Sequence, residues 1–176
     1  MKTHRRFVRL FATLVLVTAA AVAVAAWLGL SWNATSSYPR GLWRVAAAGW
    51  ERGDIVLIDA PVGDPDFAGA RTRGYLRGGF SRSGCAPLLK RVVAVAGDHV
   101  ALNGRVFVNG RPLPNSKIRS TDSAGQVIPR SAQSGCVPPG CVWVLSEHSA
   151  LSFDSRYFGA LPATSIRGRA ELLWMQ

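Results

Sequence analysis

The chain has 176 residues, with 21 Lys and Arg against 10 Asp and Glu, for a formal net charge of +11. That length suits one domain plus an anchor rather than two full domains. The charge fits a protein resting on anionic lipid as well as a nucleic-acid binder, but the arginines lie among turns instead of along one helical face and no Cys/His spacing suggests a zinc finger, so no nucleic acid and no metal is expected.

Lys2, Arg5, Arg6 and Arg9 precede an uncharged run from Leu10 to Leu30. At about 1.5 Å per residue this run just spans a bilayer core of roughly 30 Å. A basic flank stays cytoplasmic, which predicts a cytoplasmic tail at 1–9, a transmembrane helix at 10–30 and an exported domain at 31–176. Trp27 and Trp32 then sit at the interface. A second reading is a cleaved signal peptide, because the small residues between Ala19 and Ala26 contain Ala-x-Ala sites; the apolar region of a signal peptide is usually shorter, about 7 to 15 residues, which favours a retained anchor.

The stretch from Asn33 to Trp43 follows, crowded with hydroxyls and turn formers. Ile55–Ile58 reads as a short core strand ended by Ala60-Pro61. Residues 63–87 are rich in Gly, Arg and Ser, with Tyr75, Leu76 and Phe80 as isolated apolar positions, and read as a surface insertion or flap, the alternative being a short amphipathic helix near 65–77. A dense β region comes next: Leu88–Val95, a Gly97-Asp98 turn, Val100–Leu102, Asn103-Gly104, Val106–Val108 and Asn109-Gly110. Asn-Gly between β-branched runs is a strong hairpin signal, since both residues tolerate the positive φ of a type I′ turn. Residues 111–135 are polar and turn-rich, and Val142–Leu145 and Ile166–Trp174 supply two further strands. The expected fold is therefore mostly β, of coiled antiparallel sheets, with one N-terminal transmembrane helix.

Of the three cysteines, Cys136 and Cys141 enclose Val137-Pro138-Pro139-Gly140, a turn that can bring them within disulfide range. A Cys136–Cys141 bridge, a bridge from Cys85 to one of them, and three reduced thiols all remain open.

A serine nucleophile needs a base of suitable pKa. His4 lies on the wrong side of the anchor, and His99 and His148 fall in turn or loop sequence that favours exposure. A lysine serves if desolvation lowers its pKa toward neutrality. Lys90 lies inside the apolar run Leu88–Val95, where Lys90 and Arg91 face opposite ways. Taken alone, it also reads as an ordinary edge-strand lysine.

Three blocks, in order, resemble the type I signal peptidase family (S26-like) of Ser/Lys membrane proteases, and most of all its conjugative-transfer, TraF-type branch of pilin-processing peptidases. A serine box appears as Asn33-x-Thr35-x-Ser37-x-Pro39-x-Gly41-Leu42-Trp43, a lysine box as Leu89 to Asp98, and a third block as Ser152-Phe153-Asp154-Ser155-Arg156-Tyr157-Phe158-Gly159. Gly53-Asp54-Ile55-Val56 is similar to the strand that follows the serine box. The resemblance implies Ser37 as nucleophile, Lys90 as general base, the Thr35 hydroxyl with the Ser37 N–H as oxyanion donors, Ser152 orienting the lysine, and Asp154 with Arg156 as a supporting ion pair. Ser36 is the rival nucleophile, but two positions before it stands Ala34, which cannot donate to an oxyanion, whereas Thr35 stands two before Ser37. Asp154 is not expected to act directly on Lys90, since a carboxylate there would raise the lysine pKa.

The resemblance further implies a bacterial inner-membrane protein with a periplasmic catalytic domain. It implies cleavage after small residues of a membrane-associated precursor protein or pilin during conjugative pilus assembly, with the acyl-enzyme open to hydrolysis or to capture by the substrate's own N-terminus. The substrate would lie as an added strand against edge-like flanks at Arg40–Val45 or Leu88–Val92. Partners would be the phospholipid bilayer and other conjugative transfer proteins, and no cofactor is implied. A general leader peptidase and a noncatalytic, membrane-tethered assembly protein are the alternatives.

Overall fold

The computed structural model describes residues 2–47, 49–79 and 81–176. Helix α1 (Lys2–Trp27) contains a 22-residue segment, Arg6–Trp27, long and apolar enough to cross a bilayer. It stops three residues before the apolar run does. Gly29 adopts φ +70°, its carbonyl accepts the Val45 N–H at 2.7 Å, and a Cβ there would come within 2.3 Å of the Val45 oxygen. Only glycine fits that left-handed, close-packed position. Leu30, expected to end the helix, therefore begins strand β1 (Leu30–Asn33).

The remaining elements are β2 (Gly41–Ala46), β3 (Ile55–Ile58), α2 (Pro65–Thr72), β4 (Leu88–Val95), β5 (His99–Leu102), β6 (Arg105–Val108), β7 (Arg111–Lys117), β8 (Gly135–Cys136), β9 (Cys141–Leu145), α3 (Ser155–Phe158), β10 (Leu161–Pro162) and β11 (Ile166–Met175). They form two antiparallel sheets, one of seven strands in the order β1-β2-β11-β3-β4-β9-β10 and one of four in the order β7-β6-β5-β8. The mostly β expectation is borne out. The long strand β11 ties the β1–β2 hairpin, which leaves the helix, to β3 and β4 in the interior.

Both faces of β4 are covered. One core cluster joins Val56, Ile58, Val92, Val142 and Val144 to α2 and α3; a second sets Val93, Ala94, Trp143 and Leu145 against Val100 and Val106 of the smaller sheet. A third, of Tyr38, Trp43, Leu57, Leu89 and Ala170, lies beneath the loop joining β1 to β2. The Asn109-Gly110 turn has positive φ at both residues, 50° and 78°, as a type I′ turn requires. At Asn103-Gly104 only the glycine does, and Leu102 pairs with Val106 across a longer loop.

One expectation needs correction, and one open choice is decided. Residues 63–87 are not merely a surface insertion or flap: the short helix that was the alternative forms as α2, capped by Asp64, and Phe67, Ala70, Leu76 and Cys85 are buried in the first core cluster, with the Phe67 and Phe158 rings 4.7 Å apart. Four apolar residues spread over nineteen positions give no periodic signal, yet all of them converge on one core. Phe80 lies outside the described residues. The three cysteines are free, so of the three readings the reduced one holds; Cys136 lies on β8 of the smaller sheet, Cys141 opens β9 of the larger one, and Cys85 is buried in the first core cluster.

Trp32 and Trp174 stack obliquely, 6.0 Å apart, and with Trp27, Leu173 and Met175 they leave an exposed apolar surface on the strands nearest the helix. If the 63–87 segment is core, Phe67→Ala lowers the unfolding free energy of the detergent-solubilised chain by about 3–5 kcal/mol. A solvated flap would give a loss within about 0.5 kcal/mol.

Candidate active site

The loop 34–40 between β1 and β2 has few backbone partners of its own, and a single side chain organises it. Asn33, buried at the end of β1, donates from Nδ2 to the carbonyls of Thr35 (3.2 Å), Tyr38 (2.9 Å) and Pro39 (3.1 Å). Its Oδ1 accepts the Thr35 N–H at 3.0 Å and the Thr35 hydroxyl at 2.8 Å. From below, Trp43 Nε1 donates to the Pro39 carbonyl at 3.1 Å, and the Ser146 hydroxyl donates to the Ser37 carbonyl. The loop is thereby held with Ser37 turned inward and Ser36 exposed.

Lys90 stands on β4 opposite Val56 of β3 and is 1% exposed. Its Nζ lies 3.0 Å from Ser37 Oγ and 2.6 Å from Ser152 Oγ, and the two hydroxyl oxygens are 3.2 Å apart. The three groups form a closed triangle. The alternation read from the strand is borne out: Arg91 points the other way and meets Glu147 at 3.1 Å. Burial drives the Lys90 pKa from 10.5 down to about 8, with Asp154 opposing the fall and Arg156 reinforcing it.

Asp154 and Arg156 are fully buried and joined twice, Nε to Oδ1 at 2.7 Å and Nη2 to Oδ2 at 2.8 Å. Asp154 also accepts the Ser146 N–H at 3.1 Å and caps α3. The guanidinium donates to the carbonyls of Asn115, Lys117, Ser149, Ala150 and Ser152. Five backbone acceptors from β7 and the 149–152 loop thus converge on one cation, and Ser152 is held under the lysine. Because Arg156 sits against Asp154, its charge offsets part of the carboxylate's pull on Lys90, and desolvation prevails.

A cleft of about 220 Å³ opens over this group, with Thr35, Ser36, Ser37, Lys90 and Ser152 on its walls. Gly74–Arg77 and Ala86–Pro87 complete the rim, so the end of the supposed flap does border the site. The structure therefore brings together Ser37, Lys90 and Ser152, with Asp154 and Arg156 behind them. Thr35 lines the cleft, but its hydroxyl is bonded to Asn33; the Ser37 N–H has no partner among the described residues. His99 is exposed, and exposed His148 stacks on Tyr38 at 6.0 Å. The sequence reading missed the roles of Asn33 and Ser146. Asn33 stood inside the serine box, and an asparagine ahead of a run of turn formers was the available signal; Ser146, 109 positions from Ser37, gave none.

Comparison with known proteins assigns this cleft and its buried lysine to a class: residues 4–175 match the signal peptidase, peptidase S26 family, and the chain belongs to it. It is 41% identical over 173 residues to a probable conjugal transfer protein TraF of Sinorhizobium fredii, covering 96% of this chain and 90% of that protein. It is 38% identical over 149 residues to a plasmid transfer protein TraF of Escherichia coli, covering 82% of this chain and 83% of that one. A solved signal peptidase I from Enterococcus faecalis aligns with 70% of this chain and 98% of its own, with 23% identity and a TM-score of 0.42.

The lysine site is costly to the fold. Its folded pKa lies below the unfolded value, so the buried charge disfavours folding at every pH below about 8, by about 3 kcal/mol, and the cost fades as pH rises toward 10.5. Lys90→Met is accordingly more stable than the unaltered protein at pH 7, and the gap in Tm narrows between pH 8 and 10. A gap independent of pH would contradict a charged, desolvated lysine.

Breaking the Asp154–Arg156 pair leaves an uncompensated buried charge. Arg156→Met therefore costs about 3–5 kcal/mol in denaturant titrations, whereas a loss under about 1 kcal/mol would mark the pair as dispensable.

Proposed function

We propose that this chain is a membrane-anchored Ser/Lys endopeptidase of conjugative transfer, and the observation that carries the proposal is the 3.0 Å contact between buried Lys90 Nζ and Ser37 Oγ. The resting ammonium donates to both serines. Once neutral, Lys90 keeps an N–H on Ser152, presents its lone pair to Ser37 and takes the hydroxyl proton as Oγ attacks a peptide carbonyl. The unpartnered Ser37 N–H receives the developing oxyanion. Thr35 joins it by turning its hydroxyl away from Asn33, while its N–H stays bound there and the loop keeps its shape. Lys90 then returns the proton to the leaving amine, and a water deprotonated by the same nitrogen resolves the acyl-enzyme. Ser36, exposed and without a contact to Lys90, is not the nucleophile.

The proposed substrate is an exported precursor, a pilin or similar protein, cut at a small-residue site. Leu88, Leu89 and Lys90 pair with β3 on one side, while β9 begins pairing only at Arg91, so this short strand edge is open beside Ser37. It suits an added substrate strand. The Arg40–Val45 flank does not, since β2 is paired on both sides by β1 and β11. Capture of the acyl-enzyme by the substrate's own amino terminus, which would close a ring, uses the same chemistry with an amine in place of water.

The localisation proposed is the bacterial inner membrane, with 1–9 cytoplasmic, the helix spanning, and the catalytic domain periplasmic with its exposed tryptophan surface against the bilayer. The phospholipid bilayer and other conjugative transfer proteins are the proposed partners. Support comes from the apolar Arg6–Trp27 helix and from relatives that carry the name conjugal or plasmid transfer protein TraF.

In a processing assay on a co-expressed pilin precursor, Ser37→Ala and Lys90→Ala each lower cleavage by about 10⁴-fold or more. Ser36→Ala stays close to the unaltered enzyme. Full activity of Lys90→Ala, or loss confined to Ser36→Ala, would overturn the assignment; cleavage of diverse secretory precursors by the purified enzyme would instead indicate a general leader peptidase.

A further inference from the structure

A second cavity, of about 130 Å³, adjoins the cleft and shares Tyr75, Leu151 and Phe153 with it. Its remaining walls are Tyr157 and Ile128, with Arg119, Asp122 and Ser123 at the rim. None of these residues takes part in the chemistry assigned to Ser37 and Lys90. The cavity is rigidly built. Phe153 lies parallel to Tyr157 at 5.6 Å and packs on Tyr75 at 5.7 Å. The Tyr75 hydroxyl donates to Asp122 at 2.7 Å, which fastens the 119–128 loop to the cleft wall.

The chemistry of the lining selects the occupant. Asp122 is the cavity's sole carboxylate, and besides the Tyr75 hydroxyl it accepts the N–H groups of Ala124 and Gln126 at 2.8 and 2.9 Å. Oδ1 is thus used twice within the loop and Oδ2 holds Tyr75, so the carboxylate serves mainly to fix the wall. Apart from the Arg119 guanidinium at the rim, whose Nε donates to the Thr121 carbonyl, what remains is a flat-walled, mainly apolar recess with Leu151, 68% exposed, at its lip. Leu151 and Phe153 flank Ser152, so a peptide crossing Ser37 and Lys90 passes this lip within a few residues of the scissile bond.

We infer that the recess is a specificity subsite for an aromatic side chain carried by the substrate a few residues from the cleaved bond. The inference rests on the peptidase reading of the cleft. Burial of a Phe-sized side chain there tightens binding by about tenfold or more. The pocket adds affinity at a distance from the reacting atoms, and the small-residue site beside Ser37 sets the bond.

The test uses full-length Ser37→Ala protein in detergent, so that binding is read without turnover. Fluorescence anisotropy is recorded with labelled synthetic peptides containing Ala-x-Ala, in which one Phe replaces Ser at each flanking position in turn. One position is expected to show the tenfold gain. Ser123→Trp, which fills the recess from an exposed loop, and Ile128→Asp, which makes its wall polar, each remove that gain and leave the all-Ser peptide bound as before. No position with a gain, or a gain that survives both substitutions, overturns the inference. Cleavage of the same peptides by unaltered protein reads the catalytic assignment separately: selective binding without cleavage sinks the protease reading and supports the pocket.

Discussion

The site depends on keeping an amine out of water. Lys90 sits on an interior strand, covered by core clusters on both faces of its sheet, and among the described residues its side chain bonds two serine hydroxyls. An isolated ammonium in such a place is expensive, and the molecule responds by lowering the lysine pKa to about 8. That is near the value a general base needs in order to be partly neutral and still basic at working pH. The same burial that weakens the fold prepares the chemistry. A carboxylate placed alone behind the lysine would undo this, and Asp154 avoids doing so because Arg156 holds it at two points.

Two buried polar side chains do for the loops what a sheet does for strands. A loop lining a cleft carries carbonyls that neither solvent nor a neighbouring strand satisfies, and unsatisfied buried carbonyls are costly. Asn33 collects those of the serine loop with one amide, and Arg156 collects five from β7 and the 149–152 loop with one guanidinium. Ser146 joins the two assemblies, since it holds the Ser37 carbonyl while its own N–H binds Asp154. The contact between Ser37 and Lys90 is therefore fixed from both sides by backbone that cannot easily drift.

Much of this was legible in the residues, and the exceptions have physical causes. Strands with dense β-branched runs, such as Leu88–Val95, announced themselves by composition, and Asn109-Gly110 announced its turn by the positive φ it tolerates. Lys90 was recognisable as out of place in an apolar strand, but whether it was buried depended on strand order, which periodicity does not encode: β3 ends 32 residues before it in the chain, and β9 begins 51 residues after it. Residues 63–87 looked solvated because their four core residues are separated by glycines and arginines. The end of α1 was misplaced because Leu30 is as apolar as the helix, and only the contact of Gly29 with Val45 reveals the turn. Asn33 looked like a turn former, and its five hydrogen bonds belong to the folded loop alone.

The most direct test is the ionisation of Lys90 itself. With lysine side chains isotopically labelled in full-length protein in detergent, and Lys90 assigned by comparison with Lys90→Met, the NMR shifts of its Cε and Nζ followed against pH give the pKa without recourse to activity. The account predicts a midpoint near 8, well below the ordinary lysine value. A midpoint at the ordinary lysine value near 10.5 would mean that the amine is solvated and cannot act as the base for Ser37.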